Sequence, residues 1–150
     1  MLVEVSNRAG ALQQLLAFLP EAGHRYAQNR NFDWSPKEKR NTSRLSSAIQ
    51  RRILSEEEVL RQTLGSHTFP ACEKFVQEVI WRTYWKGWLE WHPSVWKKYC
   101  EELSFFDEVT HSENYLRALE GATGIEAFDN WRKELAEVGY LHNHTRRWFA

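Results

Sequence analysis

Phe75-Val76-Gln77-Glu78-Val79-Ile80-Trp81-Arg82-Thr83-Tyr84-Trp85 lies in the middle of the chain, and its reading decides the fold class. Apolar residues recur at three- and four-residue intervals with no sustained alternation, the spacing of a helical face rather than of a strand. Pro70, tolerated in a first helical turn, opens this helix, which the spacing carries to about Trp91. Glu78 and Arg82 stand at i and i+4 and share a face, with Phe75 and Trp85 close to the same stripe and Trp81 one turn from Glu78. A carboxylate and a guanidinium beside large aromatics read either as an exposed ion pair or as a polar-plus-stacking ligand site.

Outward from this helix the pattern stays helical. Leu12, Leu15, Leu16 and Leu19 mark one face before Pro20 and Gly23. Asn29 to Asn41, with Ser35-Pro36 and the charge run Lys37 to Arg40, reads as a loop. A helix is expected over 43–53. Ser55 and Glu58 fit a capping box for the next, over 56–64, which Gly65 ends. Further helices are expected over 94–103, 112–120 and 125–138, with Gly121 and Gly139 in stop positions, and a last one from near His142. The class is all-α, a multi-helical domain.

The totals narrow the function. Twenty basic and twenty acidic side chains cancel, so nothing draws the chain generally to nucleic acid or anionic membrane; a DNA contact needs a local basic patch. Eight Trp, eight Phe and five Tyr fit a large aromatic core or a pocket that stacks a planar group. Cys72 and Cys100 are far apart, and His24, His67, His92 and His111 are scattered, so no metal is expected. No apolar run approaches the ~18 residues of a membrane span. The start carries no basic, then apolar, leader, so a cytoplasmic protein is expected.

Two more blocks carry chemistry. Thr42-Ser43-Arg44-Leu45-Ser46 sets hydroxyls before a helix, which either cap it or hold phosphate oxygens. Gly121-Ala-Thr123-Gly124-Ile125 precedes Phe128-Asp129, Trp131-Arg132 and then Gly139-Tyr140-Leu-His142-Asn143-His144-Thr-Arg146. Singly these residues serve turns, caps and packing.

Together, in this order, the three blocks resemble the photolyase/cryptochrome family. Thr-Ser-Arg-Leu-Ser is similar to its phosphate-gripping segment. Glu-x-x-Trp-Arg resembles its central helix, and Gly-Tyr-x-His-Asn-x-x-Arg its later signature. Tyr26, followed by Asn29-Arg30-Asn31, fits the tyrosine segment before the first block. The resemblance spans roughly residues 12–150 and implies an all-helical domain holding FAD non-covalently. By that resemblance Tyr26, Thr42, Ser43, Arg44, Leu45 and Ser46 hold its phosphates and ribityl chain. Phe75 and Arg82 line the pocket, and Asn143 lies by the flavin. In the repair enzymes damaged DNA is the partner: Glu78 hydrogen-bonds and Trp81 stacks on a pyrimidine dimer, with His144 and Arg147 toward the DNA. Glu78, Trp81 and Asn143 are the implied catalytic residues. Arg146 would serve a structural ion pair.

Departures bear on the activity. Arg147 stands where many repair enzymes have Met, and His144 replaces a common Arg. Phe105-Phe106-Asp107-Glu108 occupies the place of the outer relay tryptophan. The family's N-terminal α/β antenna domain is expected to be missing. Because the sequence stops on apolar Trp148-Phe149-Ala150, the FAD domain is expected to be cut within a helix and to retain FAD weakly or not at all. The expected function is light-driven splitting of pyrimidine dimers by electron transfer from reduced FAD. The alternatives are a light-sensing, cryptochrome-type flavoprotein and a non-functional fragment. No oligomeric state follows from the sequence.

Overall fold

The computed structural model of the chain describes residues 7–34, 41–106 and 110–149. The first six residues, the expected loop's Ser35-Pro36 and Lys37 to Arg40, Asp107 and Glu108, and Ala150 lie outside the described residues. Among the described residues there are helices and no strands, so the chain is all-α. None of these helices is long and apolar enough to cross a membrane. The helices gather into two compact units, Met1–Lys86 and Gly87–Ala150.

The first unit holds α1 (Arg8–Phe18), a 3-10 turn (Leu19–Glu21), α2 (His24–Asn29), α3 (Ser46–Gln50), α4 (Glu56–Ser66) and most of α5 (Phe69–Trp91). Asn7 caps α1, its side chain accepting from the Gly10 N–H at 2.8 Å. The buried face of α1 is Ala11, Leu15 and Phe18, while Leu16 is 56% exposed, so the expected leucine stripe is only partly the core. Leu15, Leu45, Leu54 and Val59 are fully sequestered, and Phe18, Phe75 and Val79 join the same cluster.

The capping box forms as expected: Ser55 Oγ accepts from the Glu58 N–H at 3.1 Å, and Glu58 accepts from the Ser55 N–H at 2.9 Å. Gly65 does not end α4, which runs on to Ser66 and stops at His67, an extended residue. The ring of His67 ties the stop to the 3-10 turn: its Nε2 bonds the Leu19 carbonyl at 2.7 Å, and the ring comes within 3.0 Å of where a Cβ on Gly23 would stand.

The helix expected over 43–53 shrinks to Ser46–Gln50 because the backbone turns left-handed on both sides, at Arg44 (φ +53°) and Arg52 (φ +58°). After α3 the Ile53 N–H reaches the Ala48 carbonyl at 2.9 Å and the Arg52 N–H reaches Ile49 at 3.1 Å. This is a Schellman closure with arginine in the usual glycine position.

The second unit contains the end of α5, α6 (Pro93–Ser104), α7 (Glu113–Glu120), α8 (Glu126–Val138) and α9 (Asn143–Phe149). Ser112 caps α7, and Gly121 (φ +72°) and Gly139 (φ +67°) stop α7 and α8 in the left-handed conformation.

Candidate functional site

In the first unit two of the three sequence blocks meet through α2. Tyr26 on α2 packs edge-on against Phe75 of α5, ring centroids 5.1 Å apart, and both contact Phe18. Phe75 is buried in the core, whereas Trp81 and Trp85 are about half exposed, so the expected aromatic stripe divides into an inner and an outer face. On the outer face Trp81 and Trp85 stack at 6.0 Å, and Tyr84 meets both edge-on at 5.3 Å.

Glu78 does not pair with Arg82. Its carboxylate faces Arg30, the residue that closes α2, at 3.8 Å. The Arg30 side chain is about three-quarters buried and that of Glu78 about half exposed, and the pair joins α5 to the end of α2. Arg82 remains on α5, half-buried.

The Thr42-Ser43-Arg44-Leu45-Ser46 segment is pinned from both ends. Asn41, buried, donates its amide to the Asn29 carbonyl at 2.7 Å and to Phe32 at 2.5 Å. Gln14 on α1 donates to the Ser43 carbonyl at 2.7 Å. Leu45 is buried in the core and stands at the N-cap of α3, so neither Thr42 nor Ser43 caps the helix. Thr42, Ser43, Arg44 and Ser46 are half-buried. Holding Arg44 left-handed costs on the order of 1 kcal/mol, which the clamps at Asn41 and Gln14 and the burial of Leu45 sustain.

Between the start of α2 and the clamp lies a cleft of about 470 Å³ lined by Glu21, Arg25, Tyr26, Gln28, Asn29, Trp34 and Asn41. Sequence reasoning singled out Tyr26 here and missed Asn41 and Arg25. A lone asparagine after a charge run gives no signal until the carbonyls it bonds are known. Arg25 pairs with Glu21 at 2.8 Å, an i, i+4 pair legible in principle.

In the second unit the Gly121–Arg132 block is a clasp. Asp129 accepts from the Thr123 hydroxyl at 2.7 Å, the Thr123 N–H at 3.0 Å and the Gly124 N–H at 3.1 Å. The Thr123 hydroxyl, then these backbone donors, hold its carboxyl below the usual range. Arg132 donates to the Leu119 carbonyl at 2.7 Å, and Arg117 to Ala122 at 3.0 Å. Asn143 opens α9 and is exposed, as are Arg146 and Arg147, while Leu141, His142 and Thr145 are buried. His142 Nδ1 accepts from the His144 N–H at 3.3 Å, and the two rings stack 5.6 Å apart. Phe128 stacks on Phe149 at 5.0 Å, joining α8 to α9.

No protein-family model matches the chain, and no solved structure matches it. Among curated proteins the chain is similar to the deoxyribodipyrimidine photo-lyase of Escherichia coli strain K12, with 29% identity over 143 residues. The alignment covers 91% of this chain, which spans 29% of the length of that relative. This similarity supports a photolyase-like relationship.

Proposed function

We propose that this chain forms part of a photolyase-type flavoprotein that binds FAD and splits pyrimidine dimers in DNA by light-driven electron transfer. One observation carries the reading: the similarity to a deoxyribodipyrimidine photo-lyase covers 91% of the chain. The pinned, left-handed Arg44 segment supports it, because a backbone held against its preference is a common mark of a binding site.

The residues fit the cofactor chemically. Hydroxyls of Thr42, Ser43 and Ser46, the Arg44 guanidinium and the Tyr26 phenol are donors suited to phosphate and ribityl oxygens. Leu45 anchors their segment in the core. In the first unit Arg82 offers a fixed positive charge to a flavin, and buried Phe75 sets the Tyr26 ring beside it; in the second unit Asn143 is an exposed amide able to hydrogen-bond a flavin. Reduced FAD, when bound, supplies the electron that opens the dimer. The protein's part is orientation: a lesion flipped out of the duplex stacks on the half-exposed Trp81 indole and hydrogen-bonds the Glu78 carboxylate. His144 and Arg147 bind DNA phosphate. A cytoplasmic location belongs to the same reading.

Two assays test it. Flavin fluorescence polarisation on titration with FAD is expected to rise weakly but saturably, and Arg82→Ala is expected to weaken it about tenfold. No saturable binding overturns the cofactor assignment. Illumination with reduced FAD and a dimer-containing oligonucleotide is expected to remove dimer, and to fail for Trp81→Ala. Binding of flavin without dimer loss in the unaltered chain transfers the assignment to the light-sensing alternative, which Arg147 favours.

A further inference from the structure

Helix α6 buries none of its residues, yet its apolar side chains are ordered along one face. Trp96, Tyr99 and Leu103 fall at i, i+3 and i+7, and Phe106 continues the row in the turn after the helix; their exposures run from 49% at Leu103 to 68% at Trp96. With Val95 they expose on the order of 500 Å² of apolar surface, so two copies facing each other cover about 1,000 Å², the lower bound for a specific interface.

The flanks of this stripe identify the occupant. At 100° per residue Lys98 and Glu102 border the stripe on one side and Cys100 borders it on the other. The helix has no acid in its first turn and no base in its last; Glu101 and Glu102 crowd its negative end. That order opposes the helix dipole, and the one pair it forms along the helix, Lys97–Glu101 at 3.8 Å, has the weaker orientation. An antiparallel copy of the same helix corrects both. Its dipole runs the other way, its Glu102 meets Lys98, its Lys98 meets Glu102, and the two Cys100 residues approach near the two-fold axis. A parallel copy places the charged flank against the cysteine flank and gains none of this. The zero net charge of the chain offers no global repulsion to self-association.

We propose that the exposed face of α6 binds a second copy of this chain in an isologous, antiparallel pairing. The assignment is independent of the flavin reading. Sedimentation of the 17.9 kDa chain is expected to give twice that mass as its concentration rises through the micromolar range. Trp96→Glu with Tyr99→Glu, both at exposed positions, is expected to return the monomer with an unchanged far-ultraviolet dichroism spectrum. Lys98→Glu is expected to weaken the dimer about tenfold, and Lys98→Glu with Glu102→Lys to restore it. A short bis-maleimide is expected to link Cys100 to Cys100, since the other cysteine, Cys72, is fully buried. A monomer at about 200 μM, a size distribution without defined stoichiometry, or a dimer indifferent to Trp96→Glu/Tyr99→Glu overturns the proposal. So does failure of the charge exchange to restore pairing, or absence of the Cys100 cross-link.

Discussion

Leu15 in the first unit and Leu116 in the second both lie on helices, but Leu15 is fully buried and Leu116 is half exposed. The contrast holds across the two units. In the first, side chains from α1, α3, α4 and α5 form one contiguous apolar cluster. In the second, α6, α7 and α8 bury no residue, and order comes from the polar clasp around Asp129 and the Phe128–Phe149 stack. A clasp fixes turn geometry with a few directed bonds, each worth about 1 kcal/mol net; a core removes apolar surface from water at ~25 cal/mol per Å². The two units should therefore differ in depth of protection even though both are helical.

The largest effect is expected from the core. Leu15→Ala should cost about 2–5 kcal/mol, and Leu116→Ala less than about 1 kcal/mol. Hydrogen exchange of peptides within α4 reads the first and of peptides within α7 and α8 the second. Equal losses would break the distinction between the units.

A glycine in each unit sharpens it. Gly121→Ala must adopt φ +72° and set a Cβ 3.1 Å from the Arg132 Cδ, so the clasp should lose about 1–2 kcal/mol. Gly23→Ala is strained by space alone, its Cβ 3.0 Å from the His67 ring. Its cost of about 1 kcal/mol should appear as loss of the His67–Leu19 hydrogen bond, read from the His67 imidazole resonances.

In each unit one carboxylate, Glu58 or Asp129, is held below its usual range. The Arg8 side chain and then the Ser55 N–H hold the Glu58 carboxyl down to about 2. A carboxylate with a lowered folded value adds stability above its unfolded value, and that contribution is lost as pH falls through the folded one. The tie of α1 to α4 should thus persist at pH 4.5 and disappear toward pH 2. Asp129 follows the same sign, so the clasp also weakens only in acid. Melting from pH 5 to 2 should flatten in Glu58→Gln relative to the unaltered chain; an unchanged slope removes Glu58 from the acid response.

What the sequence discloses follows the range of the interaction. The Ser55–Glu58 box, the stops at Gly121 and Gly139 and the long α5 are local, and each is written in neighbouring residues. The Glu78–Arg30 pairing, the Asn41 clamp and the burial of Phe75 apart from Trp81 depend on residues distant in sequence, so spacing along one helix misread the first and third and left the clamp unseen. Of the candidate site, the residue types of the Thr42–Ser46 segment were legible, but the left-handed Arg44 that shapes it was not. Arginine carries no conformational signal of the kind glycine does, and at Arg52 the same silence hid the end of α3.

That position gives the smallest expected effect. Arg52→Gly relieves a left-handed arginine, worth about 1 kcal/mol. Against this, glycine frees the unfolded chain by about 0.5 kcal/mol, and the exposed Arg52–Glu56 pair at 3.3 Å, worth a few tenths, is lost. The net should be a gain of no more than about 0.5 kcal/mol, read as a small rise in the denaturation midpoint with the slope unchanged. The Schellman closure predicts the sign: the Ile53-to-Ala48 and Arg52-to-Ile49 bonds use backbone atoms only and survive the change. A loss of 1 kcal/mol or more would mean that the arginine side chain, rather than the backbone turn, ends α3.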